Sequence, residues 1–344
     1  MASAHDAPAD PPDRELSGVR TPTEPPRPDL PPTERRLPAS SGLDEMGVEE
    51  VLALLNEQDT LAPAAVRAAI PDLARLVDVG VEVMRASGRI HYFGAGTSGR
   101  LAVLDAAELI PTFGLEPDRV VAHIAGGAAA IQRPVESAED QADEGAAVVA
   151  HGVDRGDLVI GVTASGNTPY VLGALRQAAR QSSARALISC NPAASAARWA
   201  QIHVCLDTGP EVVTGSTRLK AGTAQKLALN SFSTSVMIRL GRTWSNLMVS
   251  MLATNDKLRR RTVRTLAQAT DLSPEESVAA LERAGGDLRV AVVATLTGAE
   301  IPDVRRALEA NAWSVRDAIA TLPPPSTAPS ASAIRTTNQK ETTR

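Results

Sequence analysis

The sequence predicts an α/β chain: a doubly wound, parallel five-stranded sheet flanked by helices, followed by a small C-terminal helical module. Three observations carry this. Five short apolar runs alternate with stretches of helical periodicity, the order produced by parallel strands joined through crossover helices. The first and third runs end in Gly/Ser/Thr turns that lead directly into helices, as the carboxyl ends of such strands do. Aromatic residues make up only 2% of the chain and hydrophobic ones 43%, so the core must be built from Ala, Val, Leu and Ile, which suits helices packed closely on a parallel sheet.

Helix comes first. Residues 43–55 read as helical, with Asp44 and Glu45 near the start. Val66, Ile70, Leu73, Val77, Val81 and Met84 then recur at steps of three and four, one apolar stripe that Pro71 either kinks or divides. Strands are expected at residues 89–93, 120–125, 157–163, 185–190 and 202–206. Helices are expected at 98–109, 135–150, 169–179, 193–200 and 218–240. A separate module begins near Ser273-Pro274-Glu275-Glu276, which carries a cap, a proline at the first helical position and a glutamate at the third. Gly285-Gly286 ends that helix, Asp287 caps the next, Gly298 stops it, and residues 307–319 offer one more. Residues 1–32, rich in Pro, Asp and Arg, and residues 322–344, rich in Ser, Thr, Pro and Ala, read as disordered.

Composition narrows the function classes. A formal net charge of -5 gives no reason to expect nucleic acid or an anionic membrane as partner, although a local pocket can still be positive. No apolar run reaches transmembrane length, and the N-terminus lacks the apolar core of a signal peptide, so a cytoplasmic location is expected. Cys190 and Cys205 sit in strand-like apolar runs and are expected to be reduced, buried thiols. The five histidines show no metal-ligand spacing, and neither metal nor other cofactor is expected.

The polar turns point to an anionic ligand. Gly94-Ala95-Gly96-Thr97-Ser98-Gly99-Arg100 lets the backbone approach a ligand and opens a helix whose first N–H groups are free, with Thr97 and Ser98 adding hydroxyls. Its spacing also fits G-x-G-x-x-G, but the second strand ends His123-Ile124-Ala125-Gly126-Gly127, without the acid a dinucleotide ribose needs. Thr163-Ala164-Ser165-Gly166-Asn167-Thr168-Pro169 is a second such turn, and Thr214-Gly215-Ser216-Thr217-Arg218-Leu219-Lys220 a third. Each alone is compatible with an ordinary capped helix start; three at one sheet edge, one with Arg218 and Lys220, favour a phosphorylated ligand.

These stretches closely resemble the N-acetylmuramic acid 6-phosphate etherase family. The likeness runs through Leu104-Asp105-Ala106-Ala107-Glu108, Val135-Glu136-Ser137-Ala138-Glu139-Asp140, Ala164-Ser165-Gly166-Asn167-Thr168-Pro169 and the long segment Gly209-Pro210-Glu211-Val212-Val213-Thr214-Gly215-Ser216-Thr217-Arg218-Leu219-Lys220-Ala221-Gly222-Thr223-Ala224-Gln225-Lys226. The resemblance implies a sugar isomerase (SIS) domain over residues 33–258, a ubiquitin-associated-like module over 259–321, and a homodimer acting on a sugar phosphate. It implies conversion of N-acetylmuramic acid 6-phosphate and water to N-acetylglucosamine 6-phosphate and D-lactate, a step in recycling cell-wall amino sugars. Gly96, Thr97, Ser98, Ser165, Gly166, Asn167, Thr168, Ser216, Thr217 and Lys220 are then expected to hold substrate and phosphate. One position departs: Asn167 stands where the family commonly has arginine, leaving Arg100, Arg218 and Lys220 as the remaining cations.

The resemblance also maps the family's two glutamates onto Glu108, as proton donor, and Glu139, as base. A helix that must end before Pro111 puts Glu108 in its last turn, where the dipole and the apolar neighbours Leu109 and Ile110 would favour a protonated carboxyl; without the resemblance the residues favour a surface glutamate at a frayed helix end. Glu139 lies in an acidic run with Glu136, Asp140, Asp143 and Glu144 and is assigned by the resemblance alone. Two other functions remain open at this level: a non-catalytic sugar-phosphate sensor like the glucokinase regulatory protein, which carries two such domains in tandem, and a sugar-phosphate isomerase on the same domain.

Overall fold

Each of the five apolar runs becomes a strand, the first and third, inside the sheet, buried at every position and the second and fifth, at its edges, half-buried. The computed structural model describes residues 30–251 and 256–323; the expected disordered segments 1–32 and 322–344 lie almost wholly outside these residues. Three helices come first, α1 (Val48–Asp59), α2 (Leu61–Ala68) and α3 (Ile70–Arg85), with Pro71 at the start of α3, so the predicted stripe is divided rather than kinked. The alternating part follows as β1 (Ile90–Gly94), α4 (Gly96–Phe113), β2 (Val120–Ile124), α5 (Ala129–Gln132), α6 (Ala142–Gly152), β3 (Leu158–Thr163), α7 (Pro169–Arg180), β4 (Ala184–Ser189), β5 (Ile202–Cys205) and α8 (Lys220–Arg239).

The five strands form one parallel sheet in the order β2-β1-β3-β4-β5. Side chains alternate across it. Ile90, Tyr92, Ile160 and Ile188 pack in one cluster with Leu76 of α3, Ala102 of α4 and Phe232 of α8. Phe93, Val159 and Leu187 pack in the other with Val149 of α6 and Val171 and Leu175 of α7. Helices α6 and α7 cross closely because Gly145 and Gly173 face backbone: a Cβ on Gly173 would lie 1.8 Å from the Ala142 carbonyl oxygen. The chain steps from β1 to β2 on one side and returns to β3 on the other, so the strand order reverses between β1 and β3, where a ligand crevice forms in such sheets.

A hairpin of β6 (Thr243–Trp244) and β7 (Leu247–Met248) leads to α9 (Asp256–Thr270), α10 (Pro274–Arg283), α11 (Leu288–Thr297), α12 (Ile301–Ala310) and α13 (Val315–Thr321). These helices share a third core, with Leu266, Leu281, Val292, Leu308 and Val315 inside and Trp244 and Leu247 packed against it. The module boundary expected at residue 259 falls inside α9. Its predicted caps form: Ser273 and Glu276 exchange hydrogen bonds, Asp287 accepts from Arg289 and Val290 N–H groups, and Gly298 closes α11 in the left-handed region.

Four local expectations are corrected. The first helix starts at Val48, after a separate short turn at Leu43–Glu45, because Gly47 and Glu50 set its cap. Helix α4 passes through Pro111 to Phe113 and ends on Gly114; the hydrogen bond that Pro111 cannot donate is missing on a solvent-facing turn, where the Ala107 carbonyl can be hydrated. Residues 135–150 are not one helix: Ser137 takes φ 59, a short turn Ala138–Asp140 follows, and α6 begins only at Ala142. Residues 307–319 split into α12 and α13 where Ala312 and Trp313 take positive φ. No described helix is long and apolar enough to cross a membrane.

Candidate active site

The crevice between β1 and β3 is framed by the first two predicted turns. At the start of α4 the first backbone bond is Gly99 N–H to the Ala95 carbonyl, which leaves the N–H groups of Gly96, Thr97 and Ser98 without an acceptor among the described residues. Ser98 is 8% exposed, and its hydroxyl donates to Gln225 Oε1 at 2.9 Å. Thr97 reaches toward α8, where a Cβ on Gly222 would sit 3.5 Å from Thr97 Cγ2. The first turn therefore lies beside the start of α8, which the third turn opens.

The second turn is tied together internally. Thr163 Oγ1 lies 2.7 Å from Thr168 Oγ1, and Ser165 Oγ accepts from Asn167 N–H at 3.2 Å. Gly166 takes φ +74, and a Cβ there would lie 2.2 Å from that of Ala194, so glycine is required twice over. Asn191 Nδ2 donates to the Ser165 carbonyl, and Asn167 Oδ1 accepts from Ser195 N–H at 3.0 Å. Asn167 thus pins the Ser195–Trp199 turn to this loop. Tyr170 and Val171, in the first turn of α7, have N–H groups without an acceptor among the described residues, and Thr168 supplies the first carbonyl of that helix.

The third turn differs. Glu211 is fully buried, and its Oε1 accepts from Ala221 N–H at 2.9 Å, so a carboxylate of the protein occupies the N-terminus of α8. Burial raises the pKa of Glu211, opposed by the N–H groups of Ala221 and Lys220 and by the Lys220 charge. Lys220 is 1% exposed, and its Nζ donates to Gln58 Oε1 of α1 at 2.7 Å. Burial lowers its pKa, against the pull of Glu211 and Asp59. Ser216 and Thr217 remain half-buried on the loop, and Arg218 is exposed.

Glu108 lies on the outward face of α4, among the exposed Leu104, Ala107 and Ile110, five residues before the helix end rather than in its last turn. Glu139 is exposed on the Ala138–Asp140 turn that follows β2 and α5. Among the described residues neither carboxylate makes a hydrogen bond or ion pair, and none joins the two. Helix α4 itself is held firmly. One turn before Glu108, the buried Asp105 accepts from Tyr92 of β1 at 3.0 Å and from Asn230 and Ser233 of α8 at 2.8 and 2.9 Å. Three residues that sequence reasoning left without a role, Glu211, Gln225 and Asp105, all lie inside the stretches that carry the family likeness; their burial is the signal that separates them, and burial was not readable there. The thiols offer no alternative nucleophile: burial pushes Cys190 up to about 12 and Cys205 to about 11.

Comparison with known proteins follows this geometry. A family model described as the glucokinase regulatory protein N-terminal SIS domain matches residues 72–179, and the SIS domain model matches residues 131–235. An N-acetylmuramic acid 6-phosphate etherase of Thermobifida fusca is 52% identical over 77% of this chain and 87% of its own length. The namesake from Rubrobacter xylanophilus is 48% identical over 83% and 95%, and that from Salmonella typhimurium is 44% identical over 83% and 97%. The sheet, its open helix N-termini and these relatives agree, and the chain belongs to the N-acetylmuramic acid 6-phosphate etherase family.

Proposed function

We propose that this chain is a carbon–oxygen lyase that cleaves the D-lactyl ether of N-acetylmuramic acid 6-phosphate, releasing D-lactate and N-acetylglucosamine 6-phosphate. The observation that carries the reading is the 44–52% identity, along most of the chain, to relatives that bear this name. The site geometry is compatible with it. The N–H groups opening α4 and α7 that have no acceptor among the described residues, with the hydroxyls of Thr97, Ser98, Ser165 and Thr168, are donors suited to a phosphate. Open space beside Gly96 lets a ligand approach the backbone, and the family likeness adds Gly166, Asn167, Ser216, Thr217 and Lys220 to the proposed substrate site.

In the open-chain sugar, the aldehyde acidifies the proton on the neighbouring carbon. Glu139, as carboxylate, removes that proton. The electron pair forms the double bond as the ether bond at the next carbon breaks, and Glu108, as carboxylic acid, protonates the departing lactate oxygen. Water then adds across the double bond, its hydroxyl to the carbon that lost lactate and a proton to the carbon that was deprotonated. Two carboxyls in opposite protonation states suffice for this chemistry. We place the activity in the cytoplasm, in amino-sugar recycling, on a homodimer. The C-terminal helices form the ubiquitin-associated-like module of this reading.

Incubation with N-acetylmuramic acid 6-phosphate and assay of D-lactate tests the proposal. Release at enzymatic rates is expected. Tight binding of the sugar phosphate without lactate release would favour a sensor, and an isomerised product with the ether intact would favour an isomerase.

A further inference from the structure

We infer that Gln225 is a positioning residue for the phosphate end of the substrate, acting through the direction of its hydrogen bond to Ser98. This rests on Ser98 being a phosphate donor, as proposed above. The observation is a mismatch of protons. Ser98 Oγ donates to Gln225 Oε1 at 2.9 Å, so its one proton is committed to the protein and not to a ligand. Gln225 itself is 0% exposed, and its Nε2 is buried without a hydrogen-bond partner. The site therefore holds a serine short of a free proton beside an amide with N–H groups to spare.

A half-turn of the carboxamide about its Cγ–Cδ bond frees the serine proton and gives one amide N–H a partner, while Oε1 moves into the place that has none. Nε2 then donates to Ser98 Oγ, and the Ser98 hydroxyl turns its proton outward, alongside the free N–H groups of Gly96 and Thr97. An incoming phosphate, which only accepts, favours this arrangement, because a charge-assisted bond to the anion replaces a neutral one inside the protein. Glutamine suits position 225 because its two ends differ: it accepts when the site is empty and donates when the site is full. A carboxylate there would hold the serine proton permanently.

The test combines Ser98→Ala, Gln225→Met, Gln225→Glu and the Ser98→Ala/Gln225→Met double variant. For each, KM and kcat for D-lactate release are measured, together with the dissociation constant for inorganic phosphate, which needs no turnover, and the thermal midpoint. Gln225→Met is expected to raise KM and the phosphate constant by about 3- to 10-fold, and Gln225→Glu by about 10- to 100-fold, with kcat within about threefold. The Gln225→Glu defect should shrink as pH falls and the introduced carboxyl gains a proton it can donate to Ser98. In the Ser98→Ala background, Gln225→Met should cost nothing further, because the residue acts through Ser98.

Additive losses in the double variant, or Gln225→Glu binding phosphate as tightly as the parent, would overturn the inference while leaving the phosphate role of Ser98 intact. Unchanged phosphate binding in Ser98→Ala would overturn both. A Gln225→Met variant that loses kcat and thermal stability together, with phosphate affinity unmoved, would mark a purely structural residue and also overturn it.

Discussion

The carboxylates of Glu108 and Glu139 make no hydrogen bond or ion pair among the described residues, so replacing either by an amide leaves no buried partner stranded. Both Gln variants should therefore fold like the parent, and any lost activity reports proton transfer. Glu139→Gln should abolish both D-lactate release and exchange of the substrate's acidic proton with heavy water. Glu108→Gln should lower lactate release by ~100- to 10,000-fold while exchange stays measurable, because base and aldehyde are untouched. The opposite pattern would exchange the two roles, and lactate release at the parent rate in both would sink the mechanism. The two glutamates also mark the limit of what single residues disclosed. A helix ending before Pro111 would place Glu108 in its last turn, but α4 runs on to Phe113. A proline in a solvent-facing turn costs one hydrogen bond that water can replace, which local pattern cannot foresee. Glu139 was indistinguishable from its acidic neighbours, all of them exposed here, and only likeness to a family singled it out.

At the scale of elements, the strands were legible and the turns between them were not. β3 is buried at every position, so its apolar run could only be an inner strand, and the Gly/Ser/Thr turns after β1 and β3 follow from the need to leave such a strand and cap a helix. The break at Ser137 was hidden because it rests on one residue in the left-handed region, with no glycine to announce it. Close packing of α6 on α7 gives a prediction of its own. Gly173→Ala must push a methyl group into the Ala142 carbonyl, and so should lower stability by about 1–3 kcal/mol, read as a lower denaturation midpoint in urea; an unshifted midpoint would show that the helices part without cost. The β1–β2 pair makes stability depend on pH. His91 Nδ1 lies 3.0 Å from His123 Nε2, and burial, helped by the charges of His91 and Arg89, lowers His123 to about 4. An unfolded histidine titrates near 6.5, so between about 6.5 and 4 the unfolded chain binds the extra proton. The contribution is complete above that window and is lost as pH falls through it. His123→Gln keeps a donor for His91 and removes the titration. Its denaturation midpoint should fall less than the parent's between pH 7 and pH 4.5, and equal losses would refute the assignment.

Large apolar side chains stand exposed on two helices of the sheet domain. Helix α1 has no buried residue, and Val48 and Leu52 on it are 77% and 60% exposed. Leu104 and Ile110, on the face of α4 that carries Glu108, are 48% and 37% exposed. Val51, Leu54, Leu55 and Gln58 give α1 one half-buried face against the domain, and Val48 and Leu52 leave an apolar flank that a second copy would cover. Its described attachment to the sheet domain includes the bond from Lys220 Nζ to Gln58, at the edge of the proposed phosphate site. A second copy that covers α1 would hold Gln58 in place and, through it, Lys220. Such pairing would tie assembly to substrate binding, with two-fold contact of like surfaces as the expected form of the proposed homodimer. Light scattering on the parent should therefore give twice the mass of one chain at concentrations where it is fully active. Val48→Asp combined with Leu52→Asp leaves the sheet core untouched but puts charges in the covered face. It should shift the mass toward one chain and raise KM for the sugar phosphate in parallel, with both effects reduced at high protein concentration. A parent that is monomeric while fully active would refute the assembly, and a double variant that stays dimeric with unchanged KM would move the interface elsewhere.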